Sequence, residues 1–144
     1  LREENADILT VYDDHGLYGH PDHIQVHRVG RRAGELAGTK KVYEYSVDRD
    51  ALIEIIRLAS ESDDLPELPE DFGVPGDVLT TRVDIAEYAE RKRKAMQAHA
   101  SQINESSFFL QMPPDRFRAA FGTESFTLVG APQGTSETDL FEGV

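Results

Sequence analysis

The chain has 144 residues, 15 Lys+Arg against 27 Asp+Glu, a net charge of −12 at pH 7, and no cysteine. That length suits one domain able to bury roughly 70% of its unfolded surface, and 39% hydrophobic with 29% charged residues is a globular composition, not a disordered one. The missing cysteines exclude disulfide scaffolds, thiolate zinc sites and cysteine nucleophiles. The acidic balance argues against nucleic acid as a partner, and no apolar run approaches the roughly 18 residues of a membrane span.

Ile8 to Tyr12 is a short, β-branched apolar run ending in Asp13-Asp14-His15-Gly16, the pattern of a buried strand entering a loop. A helix then opens at Pro21, whose missing N–H is not needed in a first turn, with Asp22 favourably placed at its positive end. Ile24, Val26, Val29, Ala33 and Leu36 recur at roughly helical spacing as its apolar face, and Gly38 stops it. Lys41 to Val47 alternates as a second strand. Asp48 caps a helix over about 49–60, with Leu52, Ile55, Ile56 and Ala59 on its apolar face.

Residues 61–77 carry seven acids, no base, three prolines and two glycines, and so read as a solvated surface loop. Val78 to Val83 reads as a third strand, and Asp84 caps a long helix over 85–103 in which Arg91-Lys92-Arg93-Lys94 forms a solvated face. Pro113 or Pro114 starts a short helix ending at Gly122, and Ser125 to Val129 is a last strand. Residues 131–144 are expected to be a loosely held tail. Strands alternating with helices argue an α/β fold with a largely parallel sheet.

Four of the five histidines fall between positions 15 and 27, and His20, His23 and His27 share one side of a helix. Imidazole is the commonest nitrogen ligand of zinc, and hydrolytic zinc takes three protein ligands and a water. The same spacing also suits a helix cap and packed polar groups. His27 reads as a supporting residue, His15 as solvated, and Asp13-Asp14 either as a general base or as turn formers. His99, mid-helix beside Ala95, Met96 and Ala98, reads as packed against a backbone carbonyl. A self-contained metal site built from His20, His23 and His27 is a further reading of the cluster.

The run Val11-Tyr12-Asp13-Asp14-His15-Gly16-Leu17-Tyr18-Gly19-His20-Pro21-Asp22-His23 resembles the second signature of the LmbE-like (PIG-L) N-acetylglucosaminyl de-N-acetylase family, above all its actinobacterial members of mycothiol metabolism. Lys92 to Gln102 resembles that family's Lys…Ala…His-x-Ser-Gln helix, and Phe121 to Phe126 its closing Gly-x-Glu-x-Phe segment. The resemblance implies a Rossmann-like three-layer sandwich and a zinc amidohydrolase acting on an amino-sugar conjugate. It carries over His23 as metal ligand and His20 as the group beside the substrate carbonyl. It also implies Asp22 as the carboxylate that orients and charges His20, and Tyr18 as a donor to the tetrahedral intermediate.

The family's Ala-His-Pro-Asp-Asp-Glu motif, which brings two further metal ligands and the general base, is absent from these 144 residues. The chain is therefore expected to be the C-terminal part of one such domain over 1–130. It is expected to need an N-terminal half or partner chain, with a homo-oligomer or a catalytically silent module as alternatives. His15 and Leu17 stand where relatives often carry Asn and Gly. Without a leader segment, a cytoplasmic location is expected.

Overall fold

The computed structural model describes residues 1–59, 72–103 and 107–144. Ten elements follow in chain order: β1 (Ile8–Tyr12), α1 (Gly16–Gly19), α2 (Pro21–Ala37), β2 (Lys41–Ser46), α3 (Arg49–Ala59), β3 (Thr81–Asp84), α4 (Ala89–Ala98), α5 (Phe108–Gln111), α6 (Pro114–Phe121) and β4 (Thr123–Leu128). They form two compact units, one of residues Leu1–Val83 with Glu124–Val144, the other of Asp84–Thr123.

The first unit is built on an open sheet of order β1-β2-β4-β3. β1 and β2 are parallel, in register from Ile8↔Lys41 to Tyr12↔Tyr45, because α2 returns the chain to the same end of the sheet. β2 and β4 are antiparallel, from Tyr43↔Leu128 to Ser46↔Ser125. The fold is α/β and compatible with a Rossmann-like sandwich, but the sheet is mixed rather than largely parallel. Strand–helix alternation dictates direction only for neighbours joined by a crossover, and β4 reaches β2 from far along the chain.

Helix α2 ends as its sequence predicts. Gly38 takes the left-handed conformation, and its N–H donates to the carbonyls of Gly34 and Glu35. The face it buries is not the expected one. Val26, Val29 and Leu36 are exposed, whereas Gly34 is buried. Gly30 and Gly34 lie so close to the strands that an added Cβ would collide with Val11 and would stand 2.8 Å from Val42 Cγ2. The missing side chains let the helix settle low on β1 and β2, and that proximity outweighs the apolar pattern.

Tyr43 is fully buried against Phe126, with Val11 and Leu79 also in this core. Its hydroxyl donates to Glu137 Oε2 at 2.7 Å, Lys41 Nζ donates to Glu137 Oε1 at 2.6 Å, and Thr81 Oγ1 donates to Oε2 at 3.0 Å. The Glu137 backbone also pairs with Thr80 and Arg82. Asp48 caps α3 as predicted, accepting from the Ala51 N–H at 3.0 Å. Residues 61–71 of the predicted acidic loop lie outside the described residues. Beyond them Val74 N–H donates to Val47 O, and Gly76 N–H to the Asp50 carboxylate.

In the second unit the predicted helix over 85–103 is shorter. Asp84 accepts from Ala86 N–H at 2.9 Å, but the chain begins there as a 3-10 turn, and regular helix runs only over Ala89–Ala98. His99, with φ −85° and ψ 44°, leaves the helix and is exposed rather than packed. Phe117 is fully buried and stacks on Phe121 at 4.6 Å. The basic run is not uniformly solvated: the Arg93 guanidinium lies 4.5 Å over the Phe117 ring, and Lys92 donates to Phe121 O. Among the described residues no helix is long and apolar enough to cross a membrane.

Candidate active site

β1 delivers its last side chains to the loop that begins at Asp13. Asp13 is 4% exposed and fully occupied: Oδ1 accepts from Leu17 N–H at 2.7 Å and Oδ2 from Ser46 Oγ at 2.5 Å. It is thus a turn former, and its oxygens are already engaged. His15, expected to be solvated, lies between two carboxylates: Nδ1 is bonded to Asp14 Oδ1 at 3.0 Å, while the buried Nε2, 3.4 Å from Asp13 Oδ2, has no hydrogen-bond partner. The hydrogen bond with His15 holds the Asp14 carboxyl below its ordinary range, against the opposing pull of burial.

The next four residues make a compressed turn, α1, in which Leu17 (φ 70°, ψ −50°) and Tyr18 (φ −144°, ψ 31°) depart from helical angles. Gly16, at φ +67°, packs against the start of α2. A Cβ there would stand 2.9 Å from Ile24 Cγ1 and 3.1 Å from His23 Cβ, so only glycine fits.

His20 caps α2, its Nδ1 accepting from Asp22 N–H at 3.2 Å. A neutral ring so engaged carries its proton on Nε2. Asp22 therefore meets His20 through its backbone amide, and its exposed carboxylate lies in the helix's first turn. One turn on, His23 Nδ1 lies 3.3 Å from Gly16 O. A carbonyl only accepts, so the proton sits on Nδ1 and Nε2 keeps its lone pair. That tautomer is the one a metal-ligating histidine adopts when a carbonyl holds its other nitrogen.

The rings form one assembly. His23 stacks on Tyr12 at 3.8 Å and on His20 at 4.5 Å, while Tyr18, about half exposed, stands edge-on to His20 and His23 at 5.8 and 5.4 Å. The structure therefore brings Tyr18, His20 and His23 together. It turns His27 elsewhere, with Nδ1 3.0 Å from Tyr12 O and 3.5 Å from Glu44 Oε1.

The described residues do not contain three His, Asp or Glu side chains placed to hold a metal ion. A metal centre of His20, His23 and His27 is thereby excluded among them. A single imidazole such as that of His23 is not a complete donor set for a metal ion. Sequence reasoning gave no signal for Tyr12. Its place is set by the strand's last residue facing the helix's first turn.

A cleft of about 380 Å³ is lined by Asp13, Asp14, His27, Arg31, Glu44 and Thr127 among others, and by none of Tyr18, His20 and His23. Two of these lining residues, Arg31 and Glu44, form an ion pair.

No protein-family model matches the chain. Curated relatives match it from end to end. Proteins named 1D-myo-inositol 2-acetamido-2-deoxy-alpha-D-glucopyranoside deacetylase are 36% identical in Geodermatophilus obscurus (100% of this chain, 57% of the relative) and 36% in Thermobifida fusca (98% and 56%). The relative of that name in Nocardiopsis dassonvillei is 39% identical (100% and 58%). The chain thus spans a little over half the length of these relatives.

Proposed function

We propose that this chain, which belongs to the LmbE-like (PIG-L) de-N-acetylase family, serves a protein that hydrolyses the N-acetyl amide of an N-acetylglucosamine–inositol conjugate. The observation that carries the reading is the Tyr18–His20–His23 cluster, in a chain similar from end to end to curated deacetylases of that substrate.

The reaction adds water across an amide, giving acetate and a free amine. Its barrier lies in the negative charge that builds on the carbonyl oxygen and in the poor leaving amine. His20, with its proton on Nε2, donates a hydrogen bond toward that oxygen. The exposed Tyr18 phenol supplies a second donor beside it. Asp22 acts through its backbone N–H, whose bond to Nδ1 holds the His20 ring in place. His23, with Nε2 free, gives one nitrogen to a divalent metal, zinc in the first instance, whose other donors come from outside these 144 residues. Zinc in such a site supplies Lewis acidity. The remaining part of a relative-length protein is the partner this requires, and a homo-oligomer is a second arrangement.

The test is acetate release from the conjugate by the protein that carries this chain. His20→Ala is expected to lower kcat by about 10² to 10⁴ and Tyr18→Phe by about 10². His23→Ala is expected to lose bound metal in elemental analysis. Absence of acetate with metal-loaded protein, or full activity of His20→Ala, refutes the assignment.

A further inference from the structure

We infer that Asp13 is a positioning residue, a buried latch that holds the Gly16–Gly19 turn in a strained conformation and thereby fixes the ring state of His23. The inference rests on the reading above only in assigning His23 a donor role; its geometry stands apart from it.

Leu17 is a side-chain-bearing residue at φ 70° and ψ −50°, a region that glycine occupies at little cost and leucine does not. Such a conformation persists only when its surroundings impose it. Here both ends of the residue are gripped: the N–H donates to Asp13 Oδ1 at 2.7 Å, and the carbonyl accepts from Gly73 N–H at 3.3 Å. Asp13 is in turn fixed from below. Its own N–H donates to Tyr45 O, its Oδ2 accepts from Ser46 Oγ, and His15 lies against the same oxygen. The carboxylate thus ties the turn to β2, the strand next to the one from which it springs.

The consequence falls on Gly16. Its N–H donates back to Asp13 O at 3.1 Å, and with Leu17 held its carbonyl points at His23 Nδ1. Gly16 has no Cβ, so the turn can lie directly on Ile24 and His23. One carboxylate therefore reaches His23 through a turn of four residues without touching it. Released, the carbonyl would leave Nδ1 unpartnered, and the ring would lose its reason to keep the proton there.

Leu17→Gly and Asp13→Asn test this in the 144-residue chain, with the tautomer of His23 read from long-range ¹H–¹⁵N imidazole correlations at a pH of about 8, above the ordinary imidazole range. The wild-type chain is expected to show His23 protonated on Nδ1 and Asp13→Asn a shift toward the Nε2–H form, whereas Leu17→Gly, which keeps the backbone N–H to Asp13 and takes the same angles without strain, is expected to keep the Nδ1–H form. Leu17→Gly is also expected to raise the melting midpoint by roughly 2–4 °C, because glycine removes the strain. Since that variant gains stability, its midpoint still decides whether the turn is strained even if Asp13→Asn fails to fold. An unchanged His23 spectrum in folded Asp13→Asn, or a midpoint of Leu17→Gly that does not rise, overturns the inference. No substrate or metal is needed, so a failure of the deacetylase reading is a separate result.

Discussion

Glu137→Ala removes the one carboxylate that serves Lys41, Tyr43 and Thr81 together. The Lys41 and Glu137 side chains are 14% and 12% exposed, so the ammonium left behind keeps little water. Removing one member of such a pair costs about 3–5 kcal/mol, far more than an exposed pair is worth. Tyr43 retains Leu140 O at 3.1 Å, which limits the loss at that hydroxyl. At this chain length the midpoint should fall by roughly 10 °C. Glu137→Gln, which keeps the shape and loses the charge, should cost about 1.5–3 kcal/mol.

The pH dependence gives a second reading of the same contact. Burial pushes the Glu137 carboxyl up, but the bonds from Lys41, Tyr43 and Thr81 outweigh it and hold it below its ordinary 4.5. Its stabilisation is therefore complete above pH 4.5 and is lost as pH falls through the folded value. Burial pushes Lys41 down, and the bonds with Glu137 and Tyr43 reverse this, raising it above 10.5. That contribution is complete below pH 10.5 and is lost as pH rises through the folded value. Urea unfolding followed by circular dichroism between these limits measures the cost, and the acid slope should flatten in Glu137→Gln. A Glu137→Ala unfolding free energy within about 1 kcal/mol of wild type would refute the reasoning, since no desolvated charge would then have been stranded.

Three further outcomes are expected. Gly16→Ala places a methyl 2.9 Å from Ile24 Cγ1 at a positive φ, and should cost about 1–3 kcal/mol in chemical unfolding. Phe117→Ala empties a fully buried site in the second unit and should cost about 3–5 kcal/mol there, measured by amide exchange over residues 89–98 and 114–121. Burial, then the charges of Glu124 and Tyr12, push the Tyr45 phenol up to about 12. A spectrophotometric titration should therefore find it still protonated where ordinary tyrosines ionise, and stability should fall as pH climbs through that value.

Much of the fold was legible because local chemistry dictates it. Residues Ile8–Tyr12 form the strand read from their β-branched run, and Pro21 and Gly38 bound α2 as their backbone preferences require. The meeting of His20 and His23 followed from helical spacing, whereas Tyr18 was named by the resemblance alone and His27, grouped with the other two by the same spacing, is turned to Tyr12 O. The direction of β4 was not legible, since it depends on pairing with a strand about 80 positions earlier. The buried face of α2 was misread because a hydrophobic pattern cannot show that two glycines approach the sheet more closely than valines can. The partners of Glu137 lie 56 to 96 positions away and left no mark on the small, polar stretch around it. His15 was misjudged for a similar reason, as the carboxylate of Asp13 is held in place by Ser46, in another strand.

Gly30 and Gly34 carry a consequence beyond packing. His23 precedes Gly30 by seven residues, about 10 Å of helix axis, so the glycines act as the fulcrum of a lever whose far end bears the imidazoles. A tilt of about 5° at that fulcrum would swing His23 by roughly 1 Å, enough to cost about two orders of magnitude in a reaction that demands alignment. Two absent methyl groups, seven and eleven residues along the helix from His23, thus govern where the histidines stand.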